Sequence, residues 1–341
     1  MSLAHLYQHH LNQVSRSFAF CIPRLEGDLR HLVALSYLLF RIVDTVEDAP
    51  WKTRQEQLQM FDLLLDVIQD PNQVKKLTRF YERFPEGTSP SEIDLLKDSV
   101  ILFEDLHSLP AFVKDVIRQG LIDMIRGMIH FTSKVTKGLN TPQELNQYCF
   151  FVAGIVGELL TQLAQLTSPH CSFKSDVLLH AHHFGLFLQK INILKDQGKD
   201  EKEGRLFLPR REAVLASLEN HSHAAFEYIA AIPLELRSYR LFCAFSFFLG
   251  IYSLPWIEKS WFSKVMTKIP RGITELYLDE VESKIDDNDA LRELFVKNYS
   301  QLTKVSPPAA VSTSMNDDFS WFNSCYSKKL SQSHLQNLGL V

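Results

Sequence analysis

The sequence predicts a nearly all-α protein, on three observations. Apolar residues recur at spacings of three and four far more often than at two, the period of a helix face rather than of a strand. Only 13 glycines and 14 prolines punctuate 341 residues. Helix starts are also legible: "SPSE" (residues 89–92) and "TPQE" (141–144) each place a hydroxyl at the N-cap, proline at the first helical position and glutamate at the third. Such caps satisfy N–H donors that the first turn leaves free.

Helices are expected over residues 28–48, 52–69, 90–106, 110–135, 142–166, 174–198, 222–231, 234–253, 258–284 and 287–303. In 142–166 the segment "YCFFVAGIVGELL" holds Gly154 and Gly157. Each glycine costs about 1 kcal/mol of helix propensity, so close approach of either a neighbouring helix or a ligand is expected to compensate. In 174–198, Phe184, Leu188, Ile191 and Leu194 form an apolar face. The longest uncharged run, 241–256, has 16 residues. As a helix it extends about 24 Å, short of a bilayer core of about 30 Å, which favours a buried helix over a span. Neither a repeat nor a linker interrupts residues 1–304, read as one domain. After Lys304 a Ser-, Asn- and Pro-rich stretch without sustained periodicity reads as a loosely held tail, 305–341.

At 45% hydrophobic and 22% charged, the chain has enough apolar content for a sizeable core. A net charge of −4 gives no general attraction to nucleic acid, so a polyanion must meet a local cluster. Cys21, Cys149, Cys171, Cys243 and Cys325 are far apart and form no C-x-x-C pair. That argues against a zinc site or a disulfide framework and fits a reducing, cytoplasmic setting. "HAHH" (180–183) has no matching His or Cys partner and is not read as a zinc tract. The first residues lack the basic-then-apolar pattern of a secretory signal.

Chemistry concentrates in carboxylate pairs. Asp-x-x-x-Asp sets two carboxylates one helical turn apart on one face, a spacing able to share hard cations. The chain holds five such pairs: Asp44/Asp48, Asp62/Asp66, Asp66/Asp70, Asp94/Asp98 and Asp196/Asp200. The middle three lie on polar faces of ordinary amphipathic helices, where solvated charge is the plain reading. The outer two differ, because each ends a mostly apolar helix whose polar stripe carries other hydrogen-bonding groups. Tyr37, Arg41, Asp44 and Asp48 share one stripe; Gln189, Asn192, Asp196 and Asp200 share the other. Two acidic helix ends facing one another would hold several Mg²⁺ ions, which bridge to substrate phosphates, so a diphosphate is the expected substrate. Ser15, Arg16 and Ser17 supply short donors, and Arg41, Lys190, Lys195 and Arg205 supply cations for the diphosphate.

With these residues in place, the sequence resembles the squalene/phytoene synthase family, and within it the squalene synthases. The matching segments are "SRSFAFCI" (15–22), "YLLFRIVDTVED" (37–48), "YCFFVAGIVG" (148–157), "FLQKINILKDQGKD" (187–200), "GRLFLP" (204–209) and "KIPRG" (268–272). They stand in the family's order over about residues 10–285. The resemblance implies a single-domain isoprenoid synthase bundle with a central active-site cavity. It implies head-to-head condensation of two farnesyl diphosphates to presqualene diphosphate, then NADPH-dependent reduction to squalene. Asp44, Glu47, Asp48, Asp196 and Asp200 would hold Mg²⁺. Tyr148 matches a tyrosine proposed for proton handling, and Tyr37 and Arg41 match residues beside the leaving diphosphate. Phe18, Val152, Val156, Leu160 and Gln189 match the chain-binding groove. Lys268 and Arg271 match a basic loop implicated in the reductive half. No G-x-G-x-x-G occurs, so NADPH rests on the resemblance alone.

Two departures reduce the acidic charge: Lys199 stands where squalene synthases commonly carry an acid, and Ala49 where a further Asp often follows "DTVED". The resemblance further implies a soluble, bacterial-type enzyme, with peripheral membrane contact on product release and no obligate protein partner. Two other readings stay open, a phytoene or dehydrosqualene synthase that omits hydride transfer and a non-catalytic helical scaffold of the same fold.

Overall fold

Helices and short helical turns account for the architecture of the computed structural model, which describes residues 2–15, 17–135, 138–207, 211–263, 269–299 and 320–341. No strand occurs among the described residues. The chain runs α1 (Leu3–Val14), α2 (Phe18–Cys21), α3 (Gly27–Asp48), α4 (Arg54–Gln69), α5 (Pro90–Lys97), α6 (Ser99–Ser108) and α7 (Ala111–Val135). Next come α8 (Pro142–Cys149), a π-turn (Phe150–Gly154), α9 (Ile155–Thr167), α10 (Val177–Lys202) and α11 (Arg211–Ala231). The last elements are α12 (Arg237–Ser263), α13 (Arg271–Glu282), α14 (Asn288–Tyr299), α15 (Ser320–Cys325) and α16 (Gln332–Asn337).

Local chemistry explains the boundaries. Ser2 accepts from the His5 N–H to open α1, and a Thr53/Glu56 capping box opens α4. The segment expected as one helix over 90–106 is two, because Asp98 sits at φ −97°, ψ 9°, outside the helical well. The segment expected as 258–284 is divided differently: residues 258–263 continue α12, which passes through Pro255.

α10 is central, packed against α9, the π-turn, α11 and α12. A Cβ on Gly157 would lie 2.1 Å from the Ala181 carbonyl oxygen, and one on Gly185 would lie 2.1 Å from that of Ala153. The glycine-containing segment therefore admits a neighbouring helix rather than a ligand. Two stretches, Pro142–Thr167 and Leu234–Trp261, are long and apolar enough to cross a membrane, yet most of each is buried inside the fold, as core helices are.

The C-terminal residues 320–341 do not behave as the loose tail their composition suggested. Phe322, Tyr326, Leu338 and Leu340 are buried. Three amide side chains of α8 hold the end: Gln143 and Gln147 donate to the Leu340 carbonyl at 3.1 and 2.8 Å, and Asn146 donates to those of Leu338 and Gly339, both at 3.1 Å. Gly339 adopts φ +63°, and a Cβ there would stand 2.7 Å from Asn146 Nδ2, so the turn favours glycine twice over.

Candidate active site

The acidic ends of α3 and α10 meet across one guanidinium. Arg205, just beyond α10, donates from one terminal nitrogen to Asp48 and from the other to Asp200 at 2.7 Å; the latter also reaches Glu203 at 2.7 Å. Two carboxylates 152 positions apart in sequence thus share one side chain. Beside it runs a cleft lined by Leu194, Gln197, Asp200, Arg205, Phe207 and Arg211.

The acids on α3 are poorly compensated. Burial, with Asp48 and Glu92 nearby, raises Asp44 to about 7 against the pull of Arg41. Glu47 is raised well above the carboxylate range by burial, then by Asp48 and Asp44. Asp200 rises to about 6, again chiefly through burial. Asp196 is half-buried, with Lys195 Nζ 3.2 Å from its carboxylate. The basic side is also incompletely used: Arg41 bonds Glu92, yet Arg41 Nε and Arg205 Nε are buried without a partner. Unneutralised carboxylates beside unpartnered guanidinium donors are what a site for metal ions and an oxyanion needs. An all-oxygen donor set of Asp44, Glu47, Asp48, Asp196 and Asp200 fits Mg²⁺.

Tyr148 is the penultimate residue of α8, and its hydroxyl donates to Glu47 at 3.3 Å. Burial, with Glu47 and Asp48 close by, pushes the phenol well above its usual range, so it holds its proton. Its ring packs on Phe207 and Phe131 at centroid distances of 5.1 and 5.7 Å. Tyr37 stacks obliquely on Phe18 at 5.3 Å. Val152, Val156 and Gln189 are half-buried and Leu160 is buried.

Other expected site residues are engaged by protein partners, are exposed or lie outside the described residues. Lys190 is fully buried, its ammonium bonded to Asn146 at 2.6 Å and to Ser217. Burial lowers it to about 7. It is six residues before Asp196, about 240° around the helix, and so faces the core instead of the cleft. Asn192 accepts from Lys195 at 3.0 Å. Ser15 caps α2, accepting from the N–H groups of Phe18 and Ala19 at 3.0 and 3.3 Å, and Ser17 is exposed. Arg16 and Lys268 lie outside the described residues, as does the side chain of Arg271. Glu92, the partner of Arg41, was not expected. It was visible in the sequence only as a capping glutamate.

Known proteins resemble this chain in sequence and in fold. The squalene/phytoene synthase family model matches residues 11–217. The squalene synthase of Ganoderma lucidum is 34% identical over 207 residues, covering 59% of this chain and 42% of that protein. That of Mus musculus is 32% identical over 209 residues, covering 61% and 47%. The chain thus spans about half the length of the curated relatives it matches. In three dimensions it resembles the complex of TcSQS with the ligand E5700, at TM-score 0.68 and 22% identity over 98% of this chain and 97% of that one. It also resembles a dehydrosqualene synthase, at TM-score 0.54 and 19% identity over 82% and 95%. These likenesses establish an all-α isoprenoid synthase fold, and with the family match over most of the chain, the chain belongs to the squalene/phytoene synthase family.

Proposed function

We propose that this chain condenses two farnesyl diphosphates head to head to presqualene diphosphate and reduces that intermediate to squalene. The observation that carries the first half is the Arg205 bridge between Asp48 and Asp200, which supports reading both acidic helix ends as one diphosphate site. Asp44, Glu47, Asp48, Asp196 and Asp200 would hold Mg²⁺, which when bound neutralises diphosphate charge and improves the leaving group.

The chain's own residues supply the rest. The unpartnered donors of Arg41 and Arg205 bind diphosphate oxygens as the allylic C–O bond breaks and the leaving group takes the electron pair. Phe18, Val152, Val156, Leu160 and Gln189 enclose the isoprenoid chains and keep water from the carbocation. The second substrate's double bond attacks, and loss of one proton closes the cyclopropane. The Tyr148 hydroxyl, which donates to Glu47, relays that proton to the Glu47 carboxylate in its ionised form. For the reductive half, relatives named squalene synthase and the segment "KIPRG" support NADPH as the hydride donor.

Incubation of the protein with farnesyl diphosphate and Mg²⁺, with and without NADPH, tests the reading. Squalene formed only with NADPH supports it. Dehydrosqualene formed equally in both would move the chain to the runner-up activity, and absence of diphosphate release would leave a scaffold.

A further inference from the structure

Outside the acidic cleft, α1 and α5 bring together a second group of ligand-type side chains. His9 Nε2 lies 3.0 Å from Asp94 Oδ2, and His10 Nε2 lies 2.8 Å from Asp98 Oδ2. One ligand atom from each of His9, His10 and Asp94 falls within 4.8 Å of the others. Bonds of about 2.0–2.1 Å place tetrahedral ligand pairs about 3.3 Å apart, so small side-chain rotations would close this triangle on an ion. His9 and Asp94 are exposed enough to make them, at 45% and 41% of their side-chain surface.

A separate observation points to a ligand. His10 is completely buried, and its Nδ1 has no hydrogen-bond partner. In the tautomer that donates Nε2–H to Asp98, Nδ1 carries a lone pair that meets no protein donor. A carboxylate fixing the far nitrogen of a ligating imidazole is the usual outer support of a metal-bound histidine. One feature opposes the site: Lys97 Nζ stands 3.5 Å from Asp94 Oδ1. That lysine is 51% exposed and can swing into solvent.

We propose that His9, His10 and Asp94 bind one divalent transition-metal ion of the zinc type, oriented by Asp98, and that the ion clips α1 to α5. Two imidazoles select zinc, nickel or cobalt over Mg²⁺, which prefers oxygen. The cysteine pattern had argued against zinc; this site uses none. α1 leads directly to Ser15 and Phe18, so the clip anchors the approach to the cleft. The proposal does not depend on the proposed reaction.

The test is calorimetric titration of the metal-free full chain with ZnCl₂ and, separately, MgCl₂. The acidic cleft could also take zinc, so the titration is run in an Asp44→Asn/Asp196→Asn background. One Zn²⁺ should bind per chain, His9→Ala and Asp94→Asn should each weaken it at least about ten-fold, and Mg²⁺ should not compete. Both residues are exposed, so unchanged melting of the metal-free variants confirms folding. Absence of zinc binding in that background, or undiminished binding by either variant, would overturn the proposal.

Discussion

Two acidic regions of this molecule have opposite electrostatics. Glu158, under the C-terminal segment, accepts from His182 Nε2 at 3.0 Å, from Gln162 at 2.8 Å, and from the Tyr326 hydroxyl and Lys328 ammonium. Burial pushes its carboxyl upward, yet His182 and Lys328 outweigh that and hold it at about 2. Asp44 and Glu47 are half-buried, and although Arg41 pulls the first down and Arg205 the second, burial and neighbouring carboxylates outweigh those cations and both are raised. Donors outnumber the first acid, whereas acids outnumber the cations around the second. A saturated carboxylate fastens the fold, whereas crowded carboxylates call for more cationic charge than Arg41 and Arg205 provide.

The largest effect expected from this contrast is on turnover. Asp44→Asn and Asp196→Asn should each lower farnesyl diphosphate consumption by about 100-fold or more while leaving the melting temperature within a few degrees, since their charge matters chiefly with metal and substrate bound. Glu158→Ala should do the reverse. It leaves His182, Tyr326 and Lys328 without their shared acceptor and should lower unfolding free energy by about 3–5 kcal/mol, read from chemical denaturation.

Dependence on pH sharpens the comparison. The Glu158 carboxyl is depressed, so its stabilisation is present above its unfolded value of 4.5 and lost as pH falls toward about 2. The Asp44 carboxyl is raised, so without metal its contribution is present below 3.8 and lost as pH rises through about 7. Mg²⁺ binds the ionised form, and its thermal stabilisation should therefore be larger at about pH 8 than at about pH 5.5. The smallest effect belongs to the control pair. Asp62→Asn and Asp66→Asn should retain wild-type turnover and stability within about 0.5 kcal/mol, since both are exposed and Asp66 pairs with the exposed Lys76 at 3.3 Å.

What could be read in advance was local. Asp44, Asp48, Asp196 and Asp200 stood out because helical period alone puts each pair on a stripe with other polar groups, and Arg205 could be named as a cation near them. Its bridge to Asp48 spans 157 residues, which no periodicity encodes. Lys190 could have been set aside by the same helical wheel that selected Asp196. α1 was overlooked although Ser2 caps it and Leu6, Tyr7 and Leu11 share its buried face, because its histidines and glutamines dilute the apolar signal. The C-terminal segment was illegible for a different reason. Its order comes from backbone carbonyls caught by Gln143, Asn146 and Gln147 some 190 residues upstream, and carbonyls leave no mark in sequence.

The central claim is that the two acidic helix ends act as one site. Its most direct measurement is calorimetric binding of inorganic diphosphate in the presence and absence of Mg²⁺. Diphosphate should bind only with Mg²⁺ present, and either Asp44→Asn or Asp196→Asn alone should remove that binding, since neither end suffices. Wild-type affinity in one of these variants, or diphosphate binding that ignores Mg²⁺, would contradict the claim.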